Sequence, residues 1–503
     1  MAYFFSSLAY IKGAPLVYVD HPGTPIEIWG AFIFCLTYPL TWWSRVSLFD
    51  FHIQHPGVFL IIVRTSVSVL NIIGAVFLAI SFWRKRDAIH GLLAVSLAAL
   101  YFALHPSSFD MTTIWTHNAF NFSLGTTLLV ILYLLLRRDR CLATREIILI
   151  GAAAGFLSAF TIYMATWVVG ICLALFLFEL FRKEGVDRAL ANSITAGVSS
   201  LASFILVTLP MGSHYRAFLK WIYQLIIHKD RYGFGEVGIV PPDVLGQRLA
   251  TMLRVLPLLA LGIALAVMIT GAVLVQGRKI EPRKNGLLAF IVAGIIQLIL
   301  SLLIVAKHPG GVYLLAGAAI LPPLIGASLE ALEGRKLFKI ISVSLSLLIL
   351  AAFTYNCIFS LKIRNDNVDL MVSGHRSIDE FLQDTAKQIG NPRNKLKVLW
   401  TYGVYDACNA RWFGNDYGAG ALSDRIRKVC HNDAGLNIFN GNVNTGVQTT
   451  PLAESRWDII VFRESIFKSY LTRLVFAEDY QIVESKIESP IEPYGPIIFL
   501  VSR

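Results

Sequence analysis

Gly57-Val-Phe-Leu-Ile-Ile-Val-Arg64-Thr-Ser-Val-Ser-Val-Leu-Asn-Ile-Ile-Gly-Ala-Val-Phe-Leu-Ala-Ile-Ser-Phe-Trp83-Arg84-Lys85-Arg86 is the stretch that decides the fold. Between residues 57 and 83 its one charged side chain is Arg64, and three cations close it. As a helix it would reach about 40 Å, more than the roughly 30 Å hydrocarbon core of a bilayer. Comparable apolar runs occur at 88–104, 119–136, 146–160, 161–181, 189–210, 249–275, 286–305, 311–329 and 337–358. The chain of 503 residues is 55% hydrophobic and 15% charged, with a mean hydropathy of +0.61. A water-soluble fold cannot hide that much apolar side chain, so the composition predicts a polytopic α-helical membrane protein of about ten spans.

The net charge of +11 sits in short clusters between the runs, at 84–86, 137–140, 182–183, 278–284 and 335–336. A nucleic-acid surface would need a continuous basic face instead. Placing the five clusters in the cytoplasm gives alternation from residue 57 to 358, with 146–181 as a tight hairpin turning near Thr161-Ile162-Tyr163. Residues 1–56 then lie outside, and 26–43, with Glu27, Pro39 and Trp42-Trp43, reads as an interfacial or re-entrant segment. Nothing within 1–56 would export it, so a further apolar helix ahead of Met1 is expected. Residues 211–248 form a second external loop that opens with an amphipathic helix, Tyr215 to Ile227. Gly233-Phe-Gly235-Glu-Val-Gly238 matches G-x-G-x-x-G. It lacks the preceding strand of a dinucleotide fold and reads as a glycine-hinged loop. From 359 to 503 the charge rises, and a helix at 376–389 precedes short apolar strands at 396–400, 459–462, 481–483 and 496–501. That order predicts a small extracytoplasmic α/β domain. The six cysteines show no C-x-x-C spacing. Cys408 and Cys430 share the polar region, and both a pair and two free thiols are open.

On the outer face this topology gathers Asp20, His21, Glu27, His52, His55, His105, Asp110, His117, Asn118, residues 228–236, Lys307 and His308. The histidines show no H-E-x-x-H spacing, and several precede proline, which reads as turn chemistry; no metal is expected. Arg64 within its span reads either as a snorkelling side chain or as a ligand for an anion at the membrane boundary. Lys307 offers a second such cation.

Ala9-Tyr-Ile-Lys-Gly13, followed by Tyr18-Val-Asp-His-Pro-Gly-Thr-Pro25, resembles the first external loop of the GT-C glycosyltransferases. Its similar relatives are the protein O-mannosyltransferases and lipid A aminoarabinose transferases, which use polyprenyl-phosphate-linked sugars. Gly151-Ala-Ala-Ala-Gly-Phe-Leu-Ser-Ala-Phe-Thr161 resembles that family's glycine-rich helix before a short turn. Ala306-Lys-His-Pro-Gly-Gly-Val-Tyr-Leu-Leu315 with Leu321-Pro-Pro323 resembles its late Lys…Tyr-Leu-Leu-Pro segment. In the family an acidic pair precedes the position of Phe4 or Phe5, so this sequence does not contain it, and Asp20 is the nearest substitute.

The resemblance implies transfer of a sugar from a polyprenyl-phosphate donor to a glycan, lipid or protein acceptor at the outer face of a cell (inner) membrane. Asp20 and His21 would then serve the acid/base side. Arg64, Lys307, His308 and Tyr313 would hold the donor phosphate, and Lys229, Arg231 and Glu236 would belong to an acceptor loop. No cofactor is expected, since the donor is activated on its lipid carrier. The rival expectations are a lipid-linked glycan transporter or flippase and a catalytically inactive relative.

Overall fold

A computed structural model of the chain describes residues 2–16, 23–83, 87–138, 140–227, 242–275, 283–306, 311–333, 336–390, 392, 395–400, 407–416, 420–430, 434–437, 442–444, 449–451, 457–463, 480–484 and 497–502. They form two compact units. The first comprises Met1–Tyr18, Glu27–Ile62 and Leu361–Arg503; the second comprises Val19–Ile26 and Val63–Ser360.

The chain opens with four short helices, α1 (Ala2–Ile11), α2 (Thr24–Leu36), α3 (Tyr38–Ser44) and α4 (Leu48–Gln54), and the long α5 (Pro56–Phe82). Next come α6 (Ala88–Ala103), α7 (Ser107–Thr113), a π-helical turn Asn121–Thr126, α8 (Thr127–Leu136) and α9 (Thr144–Ser158). A 3-10 turn, Ile162–Met164, leads to α10 (Ala165–Phe181) and α11 (Val186–Thr208), and a second, Leu209–His214, leads to α12 (Tyr215–Ile227). Helices α13 (Pro242–Val255), α14 (Pro257–Val275), α15 (Arg283–Val305), α16 (Gly311–Ala318), α17 (Leu321–Ala331) and α18 (Lys336–Ile389) follow. Last come α19 (Ala407–Asp416), α20 (Ser423–Cys430) and the strands β1 (Val398–Trp400), β2 (Ala434–Asn437), β3 (Asn442–Asn444), β4 (Thr449–Pro451), β5 (Ile459–Arg463), β6 (Tyr480–Glu484) and β7 (Ile497–Ser502).

The second unit is helical. Across the described chain six helices are long and apolar enough to cross a membrane, or up to eight if each of two bent pairs is one span. This is the fold of a polytopic helical membrane protein. Some of the ten apolar runs take other forms among the described residues. The run 249–275 is bent by 104° where α13 meets α14, because Pro257 offers no N–H and clashes with the preceding turn. The run 88–104 instead pairs with α7 across a 100° bend at Pro106. The runs 119–136 and 146–160 become helices that fall short of the six.

Glycines set the closest packing. A Cβ on Gly155 would lie 1.9 Å from the Ser200 carbonyl oxygen, and one on Gly151 2.3 Å from that of Ala196. The Ser200 hydroxyl donates to the Gly151 carbonyl at 2.7 Å. α9 and α11 thus meet backbone to backbone along a Gly-x-x-x-Gly stripe, the usual device where lipid supplies no hydrophobic drive. Asn71 in α5 ties down the α7–α8 connection. Its amide donates to the carbonyls of Thr112 and Ala119 at 3.0 Å each and accepts the Ser123 N–H at 3.1 Å.

The first unit holds a seven-stranded sheet in the order β4-β3-β2-β1-β5-β7-β6. Strands β2, β1 and β5 are parallel and the other pairings antiparallel. Ile378, Leu382 and Ala386, on one stripe of α18, bury against Val398, Ile459, Val461 and Phe499. Cys408 of α19 and Cys430 of α20 are joined, with Cα atoms 5.6 Å apart. β2, β3 and β4 were not expected from sequence; three or four residues rich in Gly, Asn and Thr show no apolar alternation.

Candidate active site

Residues 17–22, with Asp20 and His21, lie outside the described residues, and both flanks are described. On one side α1 presents Ser6 and Ser7, both buried, and on the other α2 carries Glu27 in its first turn. Glu27 has no exposed surface. Its Oε1 accepts from the Ser6 hydroxyl at 2.5 Å, and its Oε2 has no partner among the described residues. Burial pushes the carboxyl up to about 8, and the Ser6 bond offsets only part of this. α1 and α2 are therefore joined through a carboxyl held as the neutral acid at pH 7.

Behind this pair stands an aromatic core. Phe34 of α2 stacks on Phe59 of α5 at 3.8 Å, and Phe4 of α1 meets both rings edge-on. His52 of α4 inserts beside Phe34 and Phe51. The Thr37 hydroxyl donates to the Phe34 carbonyl (2.7 Å), so it must accept at 2.8 Å from His52 Nε2–H. His52 Nδ1 is then a buried lone pair without a partner among the described residues. A proton there would be a buried, unanswered charge, and burial takes the imidazole down to about 4.

In the second unit the 3-10 turn Ile162–Met164, α7 and the π-helical turn Asn121–Thr126 come together at α16. Tyr313 of α16 is half-buried, its ring 5.3 Å from that of Tyr163. Between α7 and α8, Asn121 of the π-helical turn donates to Asn118 Oδ1 at 3.0 Å, and the Asn118 amide meets His117 Nε2 at 3.1 Å. Burial pushes His117 down to about 4. The Oγ of Ser108 and of Ser123, Asn121 Oδ1 and Thr161 Oγ1 are buried with no partner among the described residues. A π-helical turn often marks a functional position, since its extra residue frees backbone and side chains from regular pairing.

Compared with known proteins, the chain matches no family model and no curated sequence.

Of the residues expected at the site, Arg64 and Tyr313 are described. Arg64 is exposed on α5, on a face shared with bare Ile61 and Ile72. Lys307 and His308, and Lys229, Arg231 and Glu236 with the glycine-hinged loop, lie outside the described residues. Tyr313 is packed on a tyrosine. The sequence reading missed the roles of Glu27 and His52. Both were visible as polar outer-face residues, but their burial depends on helices far apart in the chain.

Proposed function

We propose that the chain is a membrane glycosyltransferase of the GT-C type, taking a sugar from a polyprenyl-phosphate donor and transferring it to an acceptor outside the membrane. The observation that carries the reading is Arg64. It is exposed about 12 Å from the start of α5, and no carboxylate among the described residues answers it. A guanidinium on an apolar, bilayer-length helix reaches for the headgroup boundary or for an anion there, and a lipid-borne phosphate is such an anion. The disulfide in the first unit supports an extracytoplasmic side for it, because such bonds persist in oxidising compartments. In this reading Asp20 accepts the acceptor's proton and His21 orients it. Arg64, Lys307 and His308, with the Tyr313 hydroxyl, stabilise the departing phosphate. Lys229, Arg231 and Glu236 close over the acceptor.

The test is transfer of labelled sugar from a polyprenyl-phosphate donor by the full chain in proteoliposomes. Arg64→Gln and Asp20→Asn should each lower the rate at least tenfold while the protein stays folded. Wild-type rates in both would refute the assignment. The bent pairs α6–α7 and α13–α14 favour one rival, a carrier of lipid-linked glycan, because transporters build sites from broken helices. Movement of labelled donor between leaflets with no transfer would establish that rival.

A further inference from the structure

The helical unit has a cavity at the end where α5, α8 and α17 finish and α6 and α18 begin. Its volume is about 80 Å³, and Phe82, Leu93 and Phe338 form its apolar wall. In sequence these elements adjoin the basic clusters 84–86, 137–140 and 335–336, which the alternation assigns to the cytoplasm. Two polar ties border the cavity. In the first, Arg137 beyond α8 donates from Nε to Glu330 Oε1 of α17 at 2.5 Å, and the Tyr133 hydroxyl donates to the other carboxylate oxygen. In the second, His90 of α6 lies between two carboxylates.

Asp87 caps α6: its Oδ1 accepts the His90 N–H at 2.8 Å and also faces the ring Nδ1 at 2.8 Å. The backbone N–H of His90, and then its ring, hold the Asp87 carboxyl below its ordinary range. Glu333, just past α17, places Oε1 3.2 Å from Nε2. The ring is only 12% exposed and lies 5.3 Å from that of Phe338 in α18, so little water can replace a lost partner. Ionised carboxylates only accept, and a neutral imidazole carries one N–H. Such a ring answers one carboxylate and turns a lone pair to the other. Only the imidazolium donates to both. Asp87 is held by the backbone as well, and at the shorter distance, so the proton that leaves is the one facing Glu333. Arg137 and Glu330, the other charged side chains described at the cavity, answer each other. Arg84, Lys85, Arg86, Arg335 and the side chain of Lys336 lie outside the described residues.

We propose that Asp87, His90 and Glu333 form a proton-operated clasp between α6 and the turn from α17 to α18. It is closed when the ring carries two protons and released as pH rises through the range in which an imidazole titrates. The closed form binds the extra proton, so its contribution is present at low pH and lost at high pH. Arg137 keeps its charge throughout, and its tie to Glu330 holds while the clasp lets go. The turn then swings about Glu330 and uncovers the cavity wall at Phe338. The device makes this end of the helical unit answer to the pH of the compartment it faces, and it serves a transferase and a carrier alike.

Ion pairs this near to solvent add little to the stability of the whole chain, so the readout is local. The experiment is hydrogen exchange of the full chain in lipid nanodiscs at pH 6 and pH 8, corrected for the intrinsic pH dependence of amide exchange. It is read over residues 329–338. Wild-type protection there should fall about fivefold or more between the two pH values. Glu333→Gln should stay protected at both, because its amide accepts from the doubly protonated ring and donates to the singly protonated one. His90→Phe keeps a ring but removes both donors, and should exchange fast at both. Should His90→Phe fail to fold, Glu333→Gln carries the test, since it keeps the shape of the side chain. Equal wild-type protection at the two pH values, or the wild-type drop persisting in Glu333→Gln, would overturn the clasp.

Discussion

A carboxyl with no exposed surface and one donor is more stable neutral than ionised, and Glu27 gives this a measurable sign. Its folded value of about 8 stands above the ordinary 4.5. Between those values the folded chain binds more proton than the unfolded one, so stability falls as pH rises, by roughly 1.4 kcal/mol per unit at most. His52 acts in the opposite sense. Its folded value of about 4 lies below 6.5, so it costs stability as pH falls through that window. From 4.5 to 6.5 the two slopes oppose one another, and above 6.5 Glu27 acts without that opposition. His117, also held at about 4, adds to His52, so unfolding midpoints of the solubilised chain should rise from pH 5 to 6.5 and drop towards pH 8. Glu27→Gln should abolish the drop and steepen the rise below pH 6.5. A variant that still loses stability between pH 6.5 and 8 would show that Glu27 is ionised in the folded chain. None of this was legible in sequence, where Glu27 and His52 are two polar residues among many. Their burial comes from Phe4, Phe34 and Phe59, contributed by three different helices.

At the scale of the element, local pattern translated well where neighbours along the chain decide structure. The amphipathic run 215–227 is α12, and the hairpin expected near 161–163 turns through the 3-10 segment Ile162–Met164. One face of α12 serves the protein, since Phe218 and Trp221 pack on Met211, while Leu219 and Tyr223 are exposed beside Arg216 and Lys220. The bend at Pro257 was written in the sequence but was overridden by the apolar average of 249–275. Gly151 and Gly155 illustrate a resemblance that has a physical cause, for their spacing brings α11 onto α9. Gly155→Leu should lower the stability of the helical unit by about 1–3 kcal/mol or more, the cost of overpacking a tight contact. Gly197→Ala, whose new methyl would sit 3.7 Å from Cys172 Sγ, should be nearly neutral. The comparison is made by thermal unfolding in one detergent; equal midpoints for the two would deny the contact its importance.

For the whole molecule, the alternation of basic clusters predicts that the segment after Gly390 is extracytoplasmic. A periplasm-active reporter fused there should be active and a cytoplasm-active one silent; the reverse result would invert the topology. α18 runs without interruption for 54 residues, and its last stretch carries the sheet: Ile378, Leu382 and Ala386, at every fourth position, are buried on it. What that stripe fixes is phase. A single alanine inserted after Leu382 would turn Ala386 by about 100° off the sheet while adding only about 1.5 Å of length. The unfolding midpoint of the sheet unit should therefore fall; an unchanged midpoint would mean that the stripe keeps contact without keeping angle.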